Sequence, residues 1–320
     1  LCSFLDVRMK IMVGLSGGVD SAAAAYLLKE QGYEVAGATF RLMDDWDGAK
    51  DAKAVADHLG IPHYIFDFRE LFKKEVLDNF TEEYKQGRTP NPCVRCNKFI
   101  KFPAFFEEAQ KLGYDLISTG HYARTDGNNI FRAKNLAKDQ SYMMYNIDKE
   151  LIPHLRFPLA DLSKDEIRAI AEKAGIPVAN KPDSQDICFI PDGDYKAFIC
   201  RFTGKDYPAG DYLNLDGQVV GKHCGAVCYT LGQRKGLGIS VGEPVYVLRK
   251  DLAAGTVILG PNSALFTREL IADRVNWISI PELTAPLAVT AKTRYSQSEA
   301  TALLEPLPNG QVRVLFDEPQ

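Results

Sequence analysis

The sequence predicts an α/β protein: an N-terminal doubly wound parallel sheet, then a small mixed or β module, then a C-terminal all-β, barrel-like module. Three observations predict it. From Lys10 to about Phe68 short β-rich runs alternate with helical ones, the rhythm of βαβ units covered on both faces. The first of these runs passes through a glycine turn, GLSGGVDS (residues 14–21), directly into a helix-forming run, SAAAAYLLKEQG. Beyond FTGKDYPAGDYLNLDGQVVGKHCG, helix signals nearly vanish, and short alternating strands with Gly and Pro turns replace them.

The elements follow in order. KIMVGL, EVAGATF and HYIFDF read as strands, with helices over 20–31 and 49–59 between them. LFKKEVLDNFTEEYKQG carries Leu71, Val76, Leu77, Phe80 and Tyr84 close to a helical stripe and stops at Gly87. The two prolines of RTPNPCVRCN (88–97) predict an irregular segment, and a helix follows from about Lys98 to Lys111. YDLISTGHYAR reads as a further strand, and SKDEIRAIAEKAG as a helix opened by a capping box of Ser163 and Glu166. The expected divisions are 9–194, 195–265 and 266–320. The eight residues before Met9 are read as an extension.

At 320 residues the chain can hold two or three domains, each with a core of its own. Its 46% hydrophobic and 25% charged residues are those of a soluble globular protein, without the run of about eighteen apolar residues that a membrane helix needs. Seven scattered cysteines fit a reducing cytoplasm better than a disulfide framework. A net charge of −4 excludes a uniformly basic coat but leaves room for a local surface that meets nucleic acid.

A strand, a glycine turn and a helix together aim backbone N–H groups and the positive end of a helix dipole at one point, which suits an anion. Gly17 and Gly18 let phosphate approach, and Ser16 and Ser21 add hydroxyls. A P-loop would add a lysine here; this loop has none and supplies Asp20 instead, a carboxylate that suits phosphates bridged by Mg²⁺. SGGVDS resembles the pyrophosphate loop of the ATP pyrophosphatase superfamily, whose fold is that of the adenine nucleotide α-hydrolases. That resemblance implies cleavage of ATP between its α- and β-phosphates, leaving an adenylated substrate.

Of the cysteines, Cys2 and Cys200 read as packing residues, and Cys224 with Cys228 is the one pair that could complete a zinc site with Cys93 and Cys96. Cys93 and Cys96 lie before a helix that carries Lys98 and Lys101, a setting that favours the thiolate. Cys188 sits in KPDSQDICFI. Two distant thiols, one carrying a sulfane sulfur and the other releasing it, combine with an adenylating loop into ATP-activated sulfur transfer. Two readings stay open beside it: an adenylating ligase that transfers nitrogen, and a tRNA-binding or sulfur-carrier protein without turnover.

Seven segments in order, GLSGGVDS, GRTPNPCVRCNKFIKF, STGHYAR, KDQSYMMY, DSQDICFI, YTLGQRKGLGI and AKTRYSQSEA, resemble the tRNA-specific 2-thiouridylases of the MnmA type. The resemblance implies adenylation of O2 of a wobble uridine in tRNA and its replacement by persulfide sulfur, in a cytoplasmic monomer. It implies Cys96 as the nucleophile and Cys188 as the persulfide carrier, joined as a disulfide after turnover, with Asp20 near the metal or phosphates. ATP contacts fall on Gly14, Leu15, Ser16, Gly17, Gly18, Val19, Asp20, Ser21, Phe40 and Gly120. Contacts to tRNA fall on Asn91, Pro92, Cys93, His121, Lys138, Asp139, Gln140, Arg294 and Tyr295. The implied partners are tRNAs that accept glutamate, glutamine and lysine, and a cysteine desulfurase or sulfur-relay protein. Where many relatives carry an aspartate this chain has Cys93, and relatives continue past VRVLFDEPQ, so the last module is expected to be incomplete.

Overall fold

The computed structural model describes residues 8–44, 49–182 and 187–320. Residues 1–7 with Cys2, the stretch around Trp46, and the DSQD part (183–186) of KPDSQDICFI lie outside the described residues. The chain forms two compact units, one from Leu1–Val76, Cys93–Ser184 and Asn276–Pro281, the other from Leu77–Pro92, Gln185–Val275 and Glu282–Gln320.

In the first unit β1 (Lys10–Gly14), β2 (Glu34–Arg41), β3 (His63–Asp67), β4 (Leu116–Thr119) and β5 (Leu155–Arg156) form one sheet in the order β3-β2-β1-β4-β5. Every pairing is parallel. Its helices include α1 (Val19–Glu30), α2 (Ala49–Leu59), α3 (Pro92–Cys96, in this unit from Cys93 on), α4 (Phe105–Lys111) and α5 (Lys164–Lys173). Alternation along β1 builds two cores: Ile11 and Val13 pack with residues of α1, α2 and α5, while Met12 packs with Phe102, Phe105 and Ala109 on the opposite face. Ala22, Ala23, Ala24 and Ala25 of α1 are buried, small enough to seat the helix closely on the sheet. Order reverses at β1, which pairs with β2 on one side and β4 on the other, and ligands of open α/β sheets bind beyond the strand ends at such a point.

Two local features differ from the sequence reading. The segment after Asn91 is helical: α3 begins on Pro92, whose fixed φ and missing N–H suit a first helical position. The helix continues through a π-helical stretch, Asn97–Ala104, that contains Pro103, before becoming α4. A proline inside a helix removes a backbone donor and crowds the preceding turn, and the wider π turn accommodates both. The strand β5 carried no periodic signal, being two residues long.

In the second unit, Phe80, Tyr84, Phe189, Tyr195 and Phe198 form an aromatic cluster, with Phe80 and Phe189 edge to face at 5.2 Å between centroids. It involves α6 (Tyr195–Thr203), which is capped by Asp194. The strands β6 (Gly210–Leu213), β7 (Val219–His223), β8 (Tyr246–Asp251) and β9 (Thr256–Gly260) make a mixed sheet in the order β8-β9-β6-β7 around buried Tyr212, Val247, Val257 and Leu259. The last strands, β10 (Glu269–Ala272), β11 (Leu287–Ala291), β12 (Ala300–Pro306) and β13 (Val312–Phe316), form an antiparallel sheet in the order β10-β13-β12-β11. Along β13, Val312, Val314 and Phe316 are buried while Arg313 and Leu315 alternate with them. Among the described residues no helix is long and apolar enough to cross a membrane.

Candidate active site

The glycine loop begins where β1 ends. Leu15 is buried and its N–H donates to the Ala38 carbonyl at 2.7 Å, which prolongs the sheet ladder by one residue. Gly17 then takes φ = +72°, a region that costs a side chain free energy, and Gly18 is the extended N-cap of α1. The two serines hold the turn closed. The Ser16 N–H donates to Ser21 Oγ at 3.1 Å, and Ser21 Oγ donates to the Gly18 carbonyl at 3.1 Å. The Ser21 hydroxyl therefore shapes the cradle, and exposed Ser16 and the N–H groups at the head of α1, from Val19 on, are what an anion would meet.

Gly120, at the end of β4, backs onto this turn: a Cβ there would lie 2.7 Å from the Ser21 nitrogen and 3.0 Å from the Asp20 carbonyl carbon. Only glycine lets the two chain segments approach so closely. Gly14 is similar on the other flank, where a Cβ would lie 3.3 Å from Cζ of Phe40. Phe40 is half-buried and packed against Phe68 and Phe105 at 5.5 and 4.9 Å between centroids, so it walls the end of β2.

The cation absent from the loop arrives from elsewhere in the chain. Lys164, the first residue of α5, places Nζ 2.7 Å from Oδ1 of Asp20, and the Tyr122 hydroxyl donates to the same oxygen at 2.8 Å. The capping box foreseen at Ser163 and Glu166 forms: Ser163 Oγ accepts from the Glu166 N–H and Glu166 Oε2 accepts from the Ser163 N–H. It starts α5 at Lys164. Lys181 donates to the Gly17 carbonyl at 3.1 Å and pairs with Asp51 at 2.5 Å, holding the Asp51 carboxyl below its usual range mainly through that hydrogen bond. Neither lysine was foreseen, because nothing local marks a surface lysine as bound for a loop over 140 residues away. The groups present fit a nucleotide triphosphate: backbone donors, a helix N-terminus and two ammonium groups. They fit Mg²⁺ as an ion carried by the phosphates, since Asp20 is the carboxylate at hand and, among the described residues, no cluster of three or more His, Cys, Asp or Glu could hold a metal alone.

The predicted thiols and tRNA contacts lie as follows. Cys93 is exposed and Cys96 buried, three apart on α3 and both in the first unit. Asn91 is half-buried and Pro92 buried. Next to Cys96, Asn97 is 1% exposed; its Nδ2 donates to the Met143 carbonyl at 3.0 Å and its Oδ1 has no partner. A buried orphan acceptor is costly, and it marks a group that sequence reading passed over. His121 receives or donates one hydrogen bond with Thr119 Oγ1 at 2.8 Å and lies beside the Phe102 ring. Although its outer edge keeps some solvent access, burial first and the Lys101 charge second push its pKa down to about 3, so it is a neutral imidazole at physiological pH.

The Asp139 carboxylate is taken up internally, accepting from Ala133 N, Ser141 N and Ser141 Oγ, so it orders the loop that exposes Lys138. Gln140 exchanges backbone and side-chain hydrogen bonds with Tyr122, which connects this loop to the Asp20 ligand. In the second unit Cys188 is exposed, anchored by buried Phe189 and Ile190. Arg294 is exposed and donates to the Leu231 carbonyl at 3.0 Å, and the Tyr295 ring lies 5.6 Å from the Lys292 ammonium.

Comparison with known proteins places these features in a family. Residues 9–192 match the tRNA methyl transferase HUP domain, 196–261 the tRNA methyl transferase PRC-barrel domain, and 267–320 the aminomethyltransferase beta-barrel domain. A tRNA-specific 2-thiouridylase MnmA of Treponema denticola is 46% identical over 98% of this chain and 91% of its own length. Those of Acetivibrio thermocellus and Clostridioides difficile are 44% and 43% identical, over 98% of this chain and 93% and 92% of theirs. Likeness at this level across the α/β part and both β modules identifies the chain as a member of the tRNA-specific 2-thiouridylase family.

Proposed function

We propose that this protein uses ATP to replace O2 of the wobble uridine of tRNA by sulfur, releasing AMP and pyrophosphate. The observation that carries the reading is the phosphate cradle of residues 14–21, flanked by Lys164 and Lys181, in the same compact unit as the buried thiol Cys96. The three spans 9–194, 195–265 and 266–320 act in this reading as catalytic domain, tRNA-binding module and β module.

In the first half-reaction the uridine O2 attacks the α-phosphorus and pyrophosphate leaves. Backbone N–H groups at the head of α1 and the Lys164 and Lys181 ammonium groups neutralise charge that builds on the leaving group. Mg²⁺ riding on the phosphates would supply further charge neutralisation there. Gly14, Phe40 and Gly120 shape the nucleotide site. In the second half-reaction the outer sulfur of a Cys188 persulfide bonds to C2 and AMP departs. The Cys96 thiolate then attacks Cys188 Sγ, the S–S bond breaks, sulfur stays on C2, and a Cys96–Cys188 disulfide remains for a thiol reductant to reopen. Asn91, Pro92, Cys93 and neutral His121 receive the target base, which must leave its stack to reach the site. Lys138, Gln140, Arg294 and Tyr295 contact tRNA, and Asp139 fixes the Lys138 loop. The reading includes a cytoplasmic monomer, sulfur supplied by a cysteine desulfurase or relay protein, and tRNAs that accept glutamate, glutamine and lysine.

The test is nucleoside mass spectrometry after incubation with ATP, cysteine, a cysteine desulfurase and tRNA, with 2-thiouridine at the wobble position expected. Cys96→Ser and Cys188→Ser should each retain tRNA-dependent pyrophosphate release and lose thiolation. Normal thiolation by Cys188→Ser would overturn the assignment, and turnover that survives iodoacetamide would favour nitrogen transfer instead.

A further inference from the structure

The central module carries a second group of thiols that the thiolation chemistry does not use. Its centre is CGAVC, residues 224–228. Gly225 adopts φ = +141°, and a Cβ there would sit 2.6 Å from the Tyr207 carbonyl oxygen, so glycine is required for the chain to turn at this point. A 3₁₀ turn, Ala226–Cys228, follows at once, with the Cys228 N–H donating to the Gly225 carbonyl at 3.0 Å. The turn folds the chain back on itself, so that Cys228 Sγ lies 3.6 Å from where a Cβ on Gly225, the residue next to Cys224, would sit. Both are free thiols, Cys224 exposed and Cys228 half-buried.

The surroundings treat the two sulfurs differently. The Tyr229 hydroxyl lies 3.4 Å from Cys224 Sγ, and the Lys196 ammonium donates to the Cys224 carbonyl. Tyr229 is itself buried, in ring contact with Tyr212, whose hydroxyl donates to the Leu237 carbonyl at 2.9 Å. His223 Nδ1 accepts the Gly225 N–H at 3.1 Å while its Nε2 faces the Gly255 carbonyl at 3.1 Å, which braces the turn from below. The Tyr229 hydroxyl first, then the neighbouring Cys228 and the Lys196 charge, lower the Cys224 pKa against the opposing effect of burial; burial, then the neighbouring Cys224, raises that of Cys228. Cys200 and Lys196 also act on Cys228, and Lys250, half-buried and donating to the Tyr229 carbonyl, closes the group. An exposed thiol within reach of a hydroxyl donor, beside a more shielded one, is the division of labour that thiol–disulfide exchange needs.

We propose that Cys224 and Cys228 form a redox-active dithiol that exchanges with external disulfides, with Cys224 as the attacking and Cys228 as the resolving thiol. The Cys224 thiolate attacks one sulfur of a disulfide RSSR, forming a Cys224–SR mixed disulfide and expelling RS⁻. Cys228 then gives up its proton and attacks Cys224 Sγ, expelling a second RS⁻ and closing the Cys224–Cys228 disulfide. Two electrons pass from the protein to RSSR, which becomes two thiols.

The experiment uses the full chain in glutathione redox buffers, quenched with N-ethylmaleimide and mapped by peptide mass spectrometry. The Cys224–Cys228 disulfide is expected to accumulate as oxidised glutathione increases. Cys228→Ser should instead hold one glutathione on Cys224, and Tyr229→Phe should slow alkylation of Cys224 by limiting iodoacetamide at pH 7 about three- to tenfold. A readout that needs no variant is the pH at which alkylation of Cys224 in the wild-type protein is half-maximal, expected below that of a free cysteine. Separate glutathiones on both residues, both thiols still alkylatable under oxidising conditions, or an ordinary Cys224 midpoint would each overturn the proposal.

Discussion

Lys164 Nζ lies 2.7 Å from Oδ1 of Asp20, across 144 residues of sequence, with only 13% of the lysine side chain exposed. A loop that lacks the lysine of a P-loop thus has one delivered by the first turn of α5, and Tyr122 completes the pair by donating to the same carboxylate oxygen. Lys164→Met keeps most of the stem and removes the charge. Pyrophosphate release in the presence of tRNA should fall about a hundredfold, the scale of losing one preorganised donor at a developing charge. Affinity for tRNA, measured by filter binding, should stay within about twofold. An undiminished rate of pyrophosphate release would show that the pair only fastens α5 to α1.

The position of Lys164 depends on the helix start just before it. Ser163→Ala removes the side-chain acceptor for the Glu166 N–H, and urea unfolding should report a loss of about 1 kcal/mol. Ser163→Asp, which can accept the same hydrogen bond, should restore most of it.

Gly120→Ala would force a methyl group to within 2.7 Å of the Ser21 nitrogen, against backbone that has no rotamer to yield with. The expected cost is about 1–3 kcal/mol in stability. The Michaelis constant for ATP should rise, because what moves is the head of α1. Gly113→Ala is the control: it has φ = +80° and nothing near its Cβ, so it should lose stability through backbone strain without the effect on ATP.

His121 makes stability depend on pH. Its folded pKa, about 3, lies below its ordinary 6.5, so between those values the unfolded chain holds a proton that the native protein refuses. Stability from this group is complete above pH 6.5 and declines as pH falls toward 3. Urea midpoints at pH 7.5 and pH 5 should therefore differ more for the wild-type protein than for His121→Gln, which cannot take up the proton. Equal differences would mean that His121 protonates normally in the folded chain.

Much of the fold could be read locally. The run KIMVGL, the glycine turn and SAAAAYLL follow one another within a few turns of chain, so propensity and periodicity were enough to place β1, the loop and α1. The Ser163 and Glu166 box was legible for the same reason, since both of its hydrogen bonds span three residues. Local rules misread Pro92: a proline two residues after another suggests a loop, yet at a first helical position it opens α3. The strand β5 could not be seen, because two residues have no period and its place is set by pairing with β4.

By itself the sequence determined the parallel α/β architecture, the strand, glycine turn and helix around residues 14–21, and the identity of the residues that resemble a 2-thiouridylase site, because these rest on short-range geometry and ordered motifs. Only the tertiary structure decided which groups serve the cradle and which are spent internally: Lys164 and Lys181 join it, the Asp139 carboxylate is consumed by its own loop, His121 is neutral, and Cys224 is set against Cys228. Each of those outcomes depends on burial or on a partner distant in sequence or folded back by a turn, and neither is encoded in the spacing of residues along the chain.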